Sequence, residues 1–372
     1  MCAKRMPSVA AAPGGGSLPS ITCQKYAFLS IAGRVLILPS MMTGLGGRAF
    51  GDFLAAIGGR AYCVDDATAR MPRDTGRGPE MIRIALQLDL HYEIDEHGAD
   101  FVFNIHAAHT RCQTVVNENL WLSQSIEPRM QTDPATGNRY LRLRALPGEL
   151  NVSYTATVDL AHHRAAPTQI AEVPVQRLPL EVLGYIYPSR YCQSDRLVRL
   201  AINEFGSLWQ GYSRVQAIQH WVQQRVKFTS NTSDSNTSAV DTLIERQGVC
   251  RDFAHLMIAL CRAVNIPARF ATGTDYGADP ALGPSDFHAY VEAYLGDRWY
   301  IFDPSGTAIP MGFVRVGTGR DAADVAFATI FGGVRSQPPG VRATAIEDAA
   351  RGLTLPQHCD DALSTDGGEV AA

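Results

Sequence analysis

A strict alternation of apolar and polar residues begins at residue 82 and constrains the fold more than any other feature of the chain. The apolar members are spaced two residues apart: Ile82, Ile84, Leu86, Leu88, Leu90, Tyr92 and Ile94. The same period recurs over 101–107 and 150–160, and a period of two is typical of half-buried β-strands. With turn residues between the runs, the pattern predicts an antiparallel β-sandwich-like domain over 81–165.

The sequence on either side of this domain changes character. Residues 1–80 are rich in Gly, Ala, Arg and Pro without a sustained period, and we interpret them as a low-complexity or disordered extension. Because the regular alternation begins directly after Met81, we consider Met81 a candidate for the first residue of the natural protein. A proline-marked linker is expected over 166–192, a second domain over 193–335, and a flexible tail over 336–372.

The second domain has a helical period followed by strands. Helices are expected over 194–205, from a cap at Ser213, from a Ser238–Asp241 capping box, and along the apolar run 253–264. Two strand-like runs, 287–295 and 299–302, are joined by Gly296 and Asp297 and predict a tight hairpin. The whole chain is therefore expected to belong to the α+β class.

Composition excludes several classes of function. The formal net charge is -4, so no basic surface for nucleic acid is indicated. No secretory signal or run of eighteen uncharged apolar residues is found, and we expect a cytoplasmic protein without a membrane partner. The eight cysteines form no C-x-x-C pair, and no calcium-loop pattern occurs, so neither a metal nor another cofactor is expected.

Cys250 has a sequence context that favours reactivity. It follows Gly248 and directly precedes the apolar run, so we expect its thiol in the first turn of a buried helix. Unpaired N–H groups and the positive end of the helix dipole favour a thiolate there, and can stabilise an oxyanion on a substrate carbonyl. The alternative is an inert core cysteine, the commoner fate of a lone cysteine among apolar residues.

A two-residue turn at Gly296 and Asp297 would fix the hairpin register. In that register His288 and Asp303 are diagonal neighbours on one face, close enough for a hydrogen bond. Together with Cys250 they have the order of a nucleophile, base and orienting carboxylate. Taken singly, His288 could be an ordinary strand residue and Asp303 a turn residue. A metal site that also uses His255 fits less well, because Cys250 and His255 diverge around a helix.

Four segments carry a resemblance to a known family: Gly-Val-Cys-Arg-Asp-Phe-Ala-His (248–255), Asn-Ile-Pro-Ala-Arg (265–269), Phe-His-Ala-Tyr-Val-Glu (287–292) and Trp-Tyr-Ile-Phe-Asp-Pro-Ser-Gly (299–306). Over about 81–335 the chain resembles the transglutaminase-like superfamily of papain-type thiol enzymes, and most of all bacterial members described as cysteine proteases with a β-rich N-terminal region. The resemblance implies an α+β core in which a helix carries the nucleophile Cys250. The antiparallel sheet packed on it would carry the base His288 and the orienting Asp303.

Other residues near these motifs have competing interpretations. Asp252 is either a substrate anchor or a helix N-terminal carboxylate. Trp221 is a conceivable second oxyanion donor, although its helical spacing favours core packing. Tyr290 stands where many relatives have Trp, and it bears on substrate preference. Arg269 matches the family and is expected to be structural.

The expected function is thiol-dependent acyl transfer on an amide bond of a peptide or protein substrate. Bacterial relatives favour hydrolysis by a peptidase or amidase. Transfer to a primary amine, as in a transglutaminase, shares the first half-reaction and stays open. The third hypothesis is a non-catalytic module that binds a peptide in the same cleft, and the sequence leaves the oligomeric state open.

Overall fold

The computed structural model describes residues 27–31, 34–38, 81–282 and 285–365, which fall into two units divided after Gly76. In the first unit, β1 (Ala27–Ile31) and β2 (Arg34–Leu38) pair as an antiparallel hairpin. The rest of the predicted extension over 1–80 lies outside the described residues, and a start at Met81 stays a prediction. The following description concerns the second unit.

The described residues of the second unit form a strand-rich part and a part in which helices and strands are mixed. The strands are β3 (Ile82–Ile94), β4 (Ala99–Phe103), β5 (Gln113–Leu122), β6 (Arg129–Thr132), β7 (Arg139–Ala145), β8 (Gly148–Leu160), β9 (His163–Ala165), β10 (Lys227–Phe228), β11 (Gln247–Gly248), β12 (Ala268–Thr274), β13 (Phe287–Leu295), β14 (Arg298–Phe302), β15 (Gly317–Gly319), β16 (Ala328–Phe331), β17 (Val334–Ser336), β18 (Gly340–Ile346) and β19 (Ala362–Ser364). The α-helices are α1 (Leu180–Leu183), α2 (Ser194–Phe205), α3 (Tyr212–Arg225), α4 (Ala239–Glu245) and α5 (Cys250–Ala263).

Two antiparallel sheets form the strand-rich part, and β16, β17 and β18 join them from beyond the predicted bounds 81–165. One has the order β17-β3-β8-β5, with β18 also paired to β3, and the other has the order β16-β4-β7-β6. β3 and β8 pair along their whole length, from Ile82 opposite Leu160 to Ile94 opposite Gly148. The alternating apolar residues of β3 are buried, and Tyr92 contacts Phe101 of the other sheet with ring centroids 5.0 Å apart.

The flexible tail predicted over 336–372 is wrong for much of its length. β18 pairs with β3 through Val341 opposite Leu88, and β19 pairs with β9. The alternation in β18 is carried by Val341 and two alanines, which contribute little apolar area, so its signal is weak in the sequence. Residues 366–372 lie outside the described residues.

The mixed part places helix α5 on the sheet β14-β13-β12-β15. Residues 252–263 of α5 are all buried, because the apolar run lets the helix pack on β12 and β13 with one face and on α2, α3 and α4 with others. This is the α+β architecture expected from the sequence. No helix in the described ranges is both long and apolar enough to cross a membrane.

The hairpin β13–β14 has the predicted register. Leu295 lies opposite Arg298 and Tyr294 opposite Trp299, and the two turn residues Gly296 and Asp297 have φ of 52° and 61°. Positive φ at both central positions is typical of a type I′ turn, whose twist matches that of paired strands. The capping box at Ser238 is confirmed, since its N–H and Oγ both donate to Asp241. Helix α3 instead begins at Tyr212, so Ser213 lies inside its first turn.

Arg262, near the end of α5, ties two loops and the first residue of β12 to the helix. It is 2% exposed, and its guanidinium donates to the carbonyl oxygens of Ala268, Tyr187 and Arg320 at 2.8, 3.1 and 2.5 Å. Burial lowers the pKa of this guanidinium. These bonds hold the segment before α2 and the segment after β15 against the back of the helix.

We expect Arg262→Met to lower the free energy of unfolding by about 3 kcal/mol, because the methionine fills similar space but leaves buried carbonyls without donors. Denaturant unfolding followed by circular dichroism measures this change. Arg199→Met, on the exposed side of α2, is the matched control and should have little effect. An equal response of the two variants would contradict the assigned role of Arg262.

Candidate active site

The first turn of α5 presents Cys250 to a cleft. Val249 precedes it with extended backbone, and its N–H donates to Asp252 Oδ2 at 2.8 Å. A Cβ on Gly248 would lie 2.7 Å from Asp252 Cβ, so the glycine leaves the space into which this carboxylate folds. Cys250 is only partly buried, as a thiol that meets a substrate must be.

The structure brings His288 and Asp303 beside this cysteine. His288 Nε2 lies 3.2 Å from Asp303 Oδ1, and the two side chains are 2% and 4% exposed. Cys250 and His288 line the same cavity, and the interaction with the thiol helps to raise the pKa of the ring. Because Nε2 is engaged by Asp303, Nδ1 is the ring nitrogen left for the thiol. Asp303, His288 and Cys250 therefore lie together at the cleft, with the ring between the carboxylate and the thiol.

Electrostatics in this buried group favour an imidazolium next to a carboxylate. Burial alone lowers the pKa of His288, but the charge and hydrogen bond of Asp303 and the interaction with Cys250 outweigh it and raise the pKa above the ordinary 6.5. Burial alone raises the pKa of Asp303, whereas His288 and Ser305 more than compensate and lower it. Each partner thus stabilises the charged form of the other.

Ser305 is a contributor that sequence reasoning did not single out. Its N–H and Oγ donate to Asp303 Oδ1 at 3.1 and 2.6 Å, and its Oγ lies 3.0 Å from Thr307 Oγ1. The Asp-Pro-Ser order of the motif is its only signal, because a serine two residues after an aspartate commonly closes such a local turn. Phe313 packs on the His288 ring at 4.9 Å and limits its movement.

The cleft has two arms that meet at Cys250, Phe287 and His288. The acidic arm, a cavity of about 570 Å³, is lined by Asp275, Asp279 and Asp286 together with Phe228 and Thr307. Burial raises the pKa of Asp275 and of Asp286. The apolar arm, a cavity of about 430 Å³, continues on the other side between β12, β13 and the segment 322–327.

The other predicted contacts lie outside the cleft lining. Trp221 donates its Nε1 proton to Glu204 Oε2 at 2.9 Å and packs on Phe205, so the hypothesis that it supplies an oxyanion donor is wrong. Asp252 is fully buried as the capping carboxylate of α5, and it therefore does not act as a substrate anchor. Tyr290 is fully buried against Phe313, so it bears on packing rather than on substrate contact.

Two further sequence interpretations concern structural residues. Arg269 Nε donates to the buried Glu292 at 2.7 Å, and its guanidinium lies over the ring of Trp299, as a structural role requires. His255 is fully buried, stacks on Tyr191, and accepts the N–H of Ala322 at its Nε2. Within the described residues, no group of three or more His, Cys, Asp and Glu side chains is arranged to hold a metal.

Family models match two parts of the chain. The transglutaminase-like superfamily core matches residues 203–304, and the bacterial transglutaminase N-terminal domain matches 82–181. The chain belongs to the transglutaminase-like superfamily. This membership, with the α+β fold, supports a thiol-dependent enzyme in general.

The chain is similar to a solved structure and to several curated proteins. A crystal structure of a candidate cysteine protease from Cytophaga hutchinsonii is 39% identical, with a TM-score of 0.71 over 76% of this chain and 97% of that one. An uncharacterised protein of Mycobacterium leprae is 27% identical over 53% of this chain and 77% of its own length. An uncharacterised protein of Mycobacterium tuberculosis is 32% identical over 26% of this chain and 35% of its own.

We expect His288 to titrate above 6.5 and Asp303→Asn to lower its pKa, because the substitution removes the charge that outweighs burial. Nitrogen-15 chemical shifts of histidine-labelled protein, with His288→Gln to assign the resonance, measure both values. A raised folded-state pKa contributes stability that is complete below 6.5 and is lost as the pH rises through the raised value. An unchanged His288 midpoint in the Asp303 variant would show that the carboxylate does not control the ring.

Proposed function

We propose that the protein is a thiol-dependent hydrolase of amide bonds in peptides or proteins. The observation that carries the proposal is the position of Cys250, at the start of a helix, in the same open cleft as the buried His288–Asp303 pair. The Cytophaga hutchinsonii relative, described as a candidate cysteine protease, supports hydrolysis as the direction of the reaction. We propose a peptide or protein substrate by analogy with the description of the same relative.

In the first half-reaction, the sulfur of Cys250 attacks the carbonyl carbon and forms a C–S bond. The C–N bond then breaks, and the His288 imidazolium gives its proton to the departing amine. A thioester remains on Cys250 and the ring is left neutral. In the second half-reaction, His288 takes a proton from water as it attacks the thioester, the C–S bond breaks, and a carboxylic acid leaves.

The oxyanion of each tetrahedral intermediate needs donors near the sulfur. The first N–H groups of a helix have no partner within it. In α5, the N–H groups of Asp252 and Phe253 donate to the Val249 carbonyl at 2.8 and 3.2 Å. We assign the oxyanion to the remaining N–H groups of Cys250 and Arg251, which need no side chain such as Trp221.

The proposal predicts that Cys250→Ala abolishes cleavage of a blocked peptide library and that Asp303→Asn slows it by about 10²–10⁴-fold, because the imidazolium loses its orienting carboxylate. Mass spectrometry of the products measures both effects, and intact mass of acid-quenched enzyme detects the thioester on Cys250. Cys112→Ala, which removes another partly buried free thiol, is the matched control and should retain full rate. Cleavage that survives in Cys250→Ala would contradict the assigned nucleophile.

Amine transfer is a second candidate, favoured by the acidic arm. Carboxylates at Asp275, Asp279 and Asp286 beside Cys250 suit a cationic primary amine that would take the acyl group in place of water. In that case the same thioester is released as a new amide.

If amines are the acceptors, cadaverine added during turnover should appear covalently in the product, and the double variant Asp275→Asn, Asp286→Asn should lower the ratio of amide to acid several-fold. Product masses give this ratio directly. The double variant Glu347→Gln, Asp360→Asn, at two exposed positions outside the cleft lining, controls for the same change in net charge. Acid as the sole product at every amine concentration would exclude transfer and leave hydrolysis.

A further inference from the structure

The apolar arm is walled mainly by aromatic and alanine side chains, with Arg190, Ser235 and Arg251 also in its lining. Its walls include Phe270, which is 2% exposed, and Phe327, whose ring stacks on Phe287 with centroids 4.8 Å apart. Ala289, Ala322, Ala323 and Ala326 line the same cavity, and the small size of alanine leaves the space between the rings open. An apolar cavity of this kind, next to a reacting thiol, favours an apolar group on the substrate.

Asn104 is the unusual member of this wall. It directly follows β4 of the sandwich, its backbone N–H donates to the Phe327 carbonyl at 3.0 Å, and the residue is 1% exposed. Neither Nδ2 nor Oδ1 of its side chain has a hydrogen-bond partner among the described residues. A buried carboxamide without partners destabilises a protein by about 1–3 kcal/mol for each lost group. An asparagine that lowers stability at this position suggests that its carboxamide has a function when a ligand is bound in the cavity.

The surrounding backbone keeps the space of this carboxamide clear. Gly317 of β15 lies against Asn104, and a Cβ on that glycine would come within 2.5 Å of Asn104 Nδ2. Gly317 pairs with Thr272 of β12, another residue of the same wall. The side chain is thus placed by strands from both the sandwich and the mixed sheet.

The chemistry of a carboxamide defines the group that would satisfy it. Asn offers one acceptor and two donors, and a peptide group offers one N–H and one C=O. An isolated amine supplies only donors, and a carboxylate supplies only acceptors. A peptide bond is therefore the complementary partner for both unpaired atoms.

We propose that the apolar arm is the specificity pocket of the enzyme: it takes a large apolar side chain of a peptide substrate, and Asn104 hydrogen-bonds the peptide group beside that side chain. This inference rests on the proposed thiol chemistry and names its substrate class. It also gives the N-terminal sandwich a direct part in substrate binding.

Asn104→Leu separates a substrate-binding role from a structural one. Leucine is similar in size and removes both unpaired polar atoms, so the denaturant midpoint should stay the same or rise. The value of kcat/KM for a hexapeptide with a large apolar residue should nevertheless fall about 10-fold. A lowered midpoint would show that Asn104 is bonded within the fold and would overturn the proposal.

Ala326→Trp tests the arm itself without disturbing the core, because Ala326 is exposed. Wild-type enzyme should prefer hexapeptides with Leu or Phe over those with Gly by about 10–100-fold, and the tryptophan should remove most of this preference. Alkylation of Cys250 by iodoacetamide should be unchanged in both variants, which shows that the thiol stays intact and accessible. Turnover in wild-type enzyme without an apolar preference would overturn the inference while leaving the proposed hydrolase in place.

Binding to the Cys250→Ala protein keeps the inference testable if no peptide is cleaved. The probe is a mixture of N-acetylated, C-amidated hexapeptides, and the retained fraction is sequenced by mass spectrometry. Enrichment of Leu and Phe at one position, lost in the double variant Cys250→Ala, Asn104→Leu, supports the pocket even when the proposed hydrolase fails. Retention without that enrichment, or no retention at all, overturns the pocket.

Discussion

The meeting of His288 with Asp303 depends on the register of one hairpin. Side chains alternate between the two faces of a strand, so a slip by one residue would move His288 to the opposite face from Asp303. The turn at Gly296 and Asp297 prevents this slip, because both residues adopt positive φ and close the strands at Leu295 and Arg298. The position of His288 relative to Asp303 is therefore set by the backbone conformation of a turn about eight residues after His288. The contact between the two side chains follows from that turn.

A second constraint joins the sandwich to the sheet that carries this hairpin. Glu292 of β13 is buried between Arg269 and Arg315, at 2.7 Å from Arg269 Nε and 3.3 Å from Arg315 Nη1. The backbone of Arg315 in turn exchanges hydrogen bonds of 2.8 Å with the side chain of Gln113, the first residue of β5. A buried ion pair contributes little net stability but fixes geometry, since either charge alone would be costly. Glu292 thus links the sheet that carries the hairpin to the sandwich through Arg315 and Gln113.

The sequence predicted those features that depend on local period and turn chemistry. The alternation in β3, the start of α5 at Cys250 and the register of β13–β14 all follow from residues close together in the chain. What it could not provide were contacts between distant segments. The helical spacing of Trp221 does not tell whether its N–H donates to a substrate or to Glu204. The acidic side chain of Asp252 likewise does not tell whether it caps a helix or binds a ligand. The sequence does not predict β18, because Val341 is its only buried residue and the two alanines are covered only in part by pairing with β3.

The same distinction applies to the cleft. Cys250, His288 and Asp303 lie on neighbouring elements of one part of the chain and leave a local sequence signal. Asn104 follows a strand of the sandwich and lines the cleft only because the sandwich packs there. Chemistry common to a superfamily can therefore be recognised from motifs, while selection among substrates is carried by residues that the motifs do not include. A carboxamide that is buried without a partner, next to an open apolar cavity, is difficult to explain by folding alone, because an apolar side chain would serve the fold better. The carboxamide of Asn104 fits a binding site in which a residue lowers the stability of the free protein and is satisfied only when the peptide is bound.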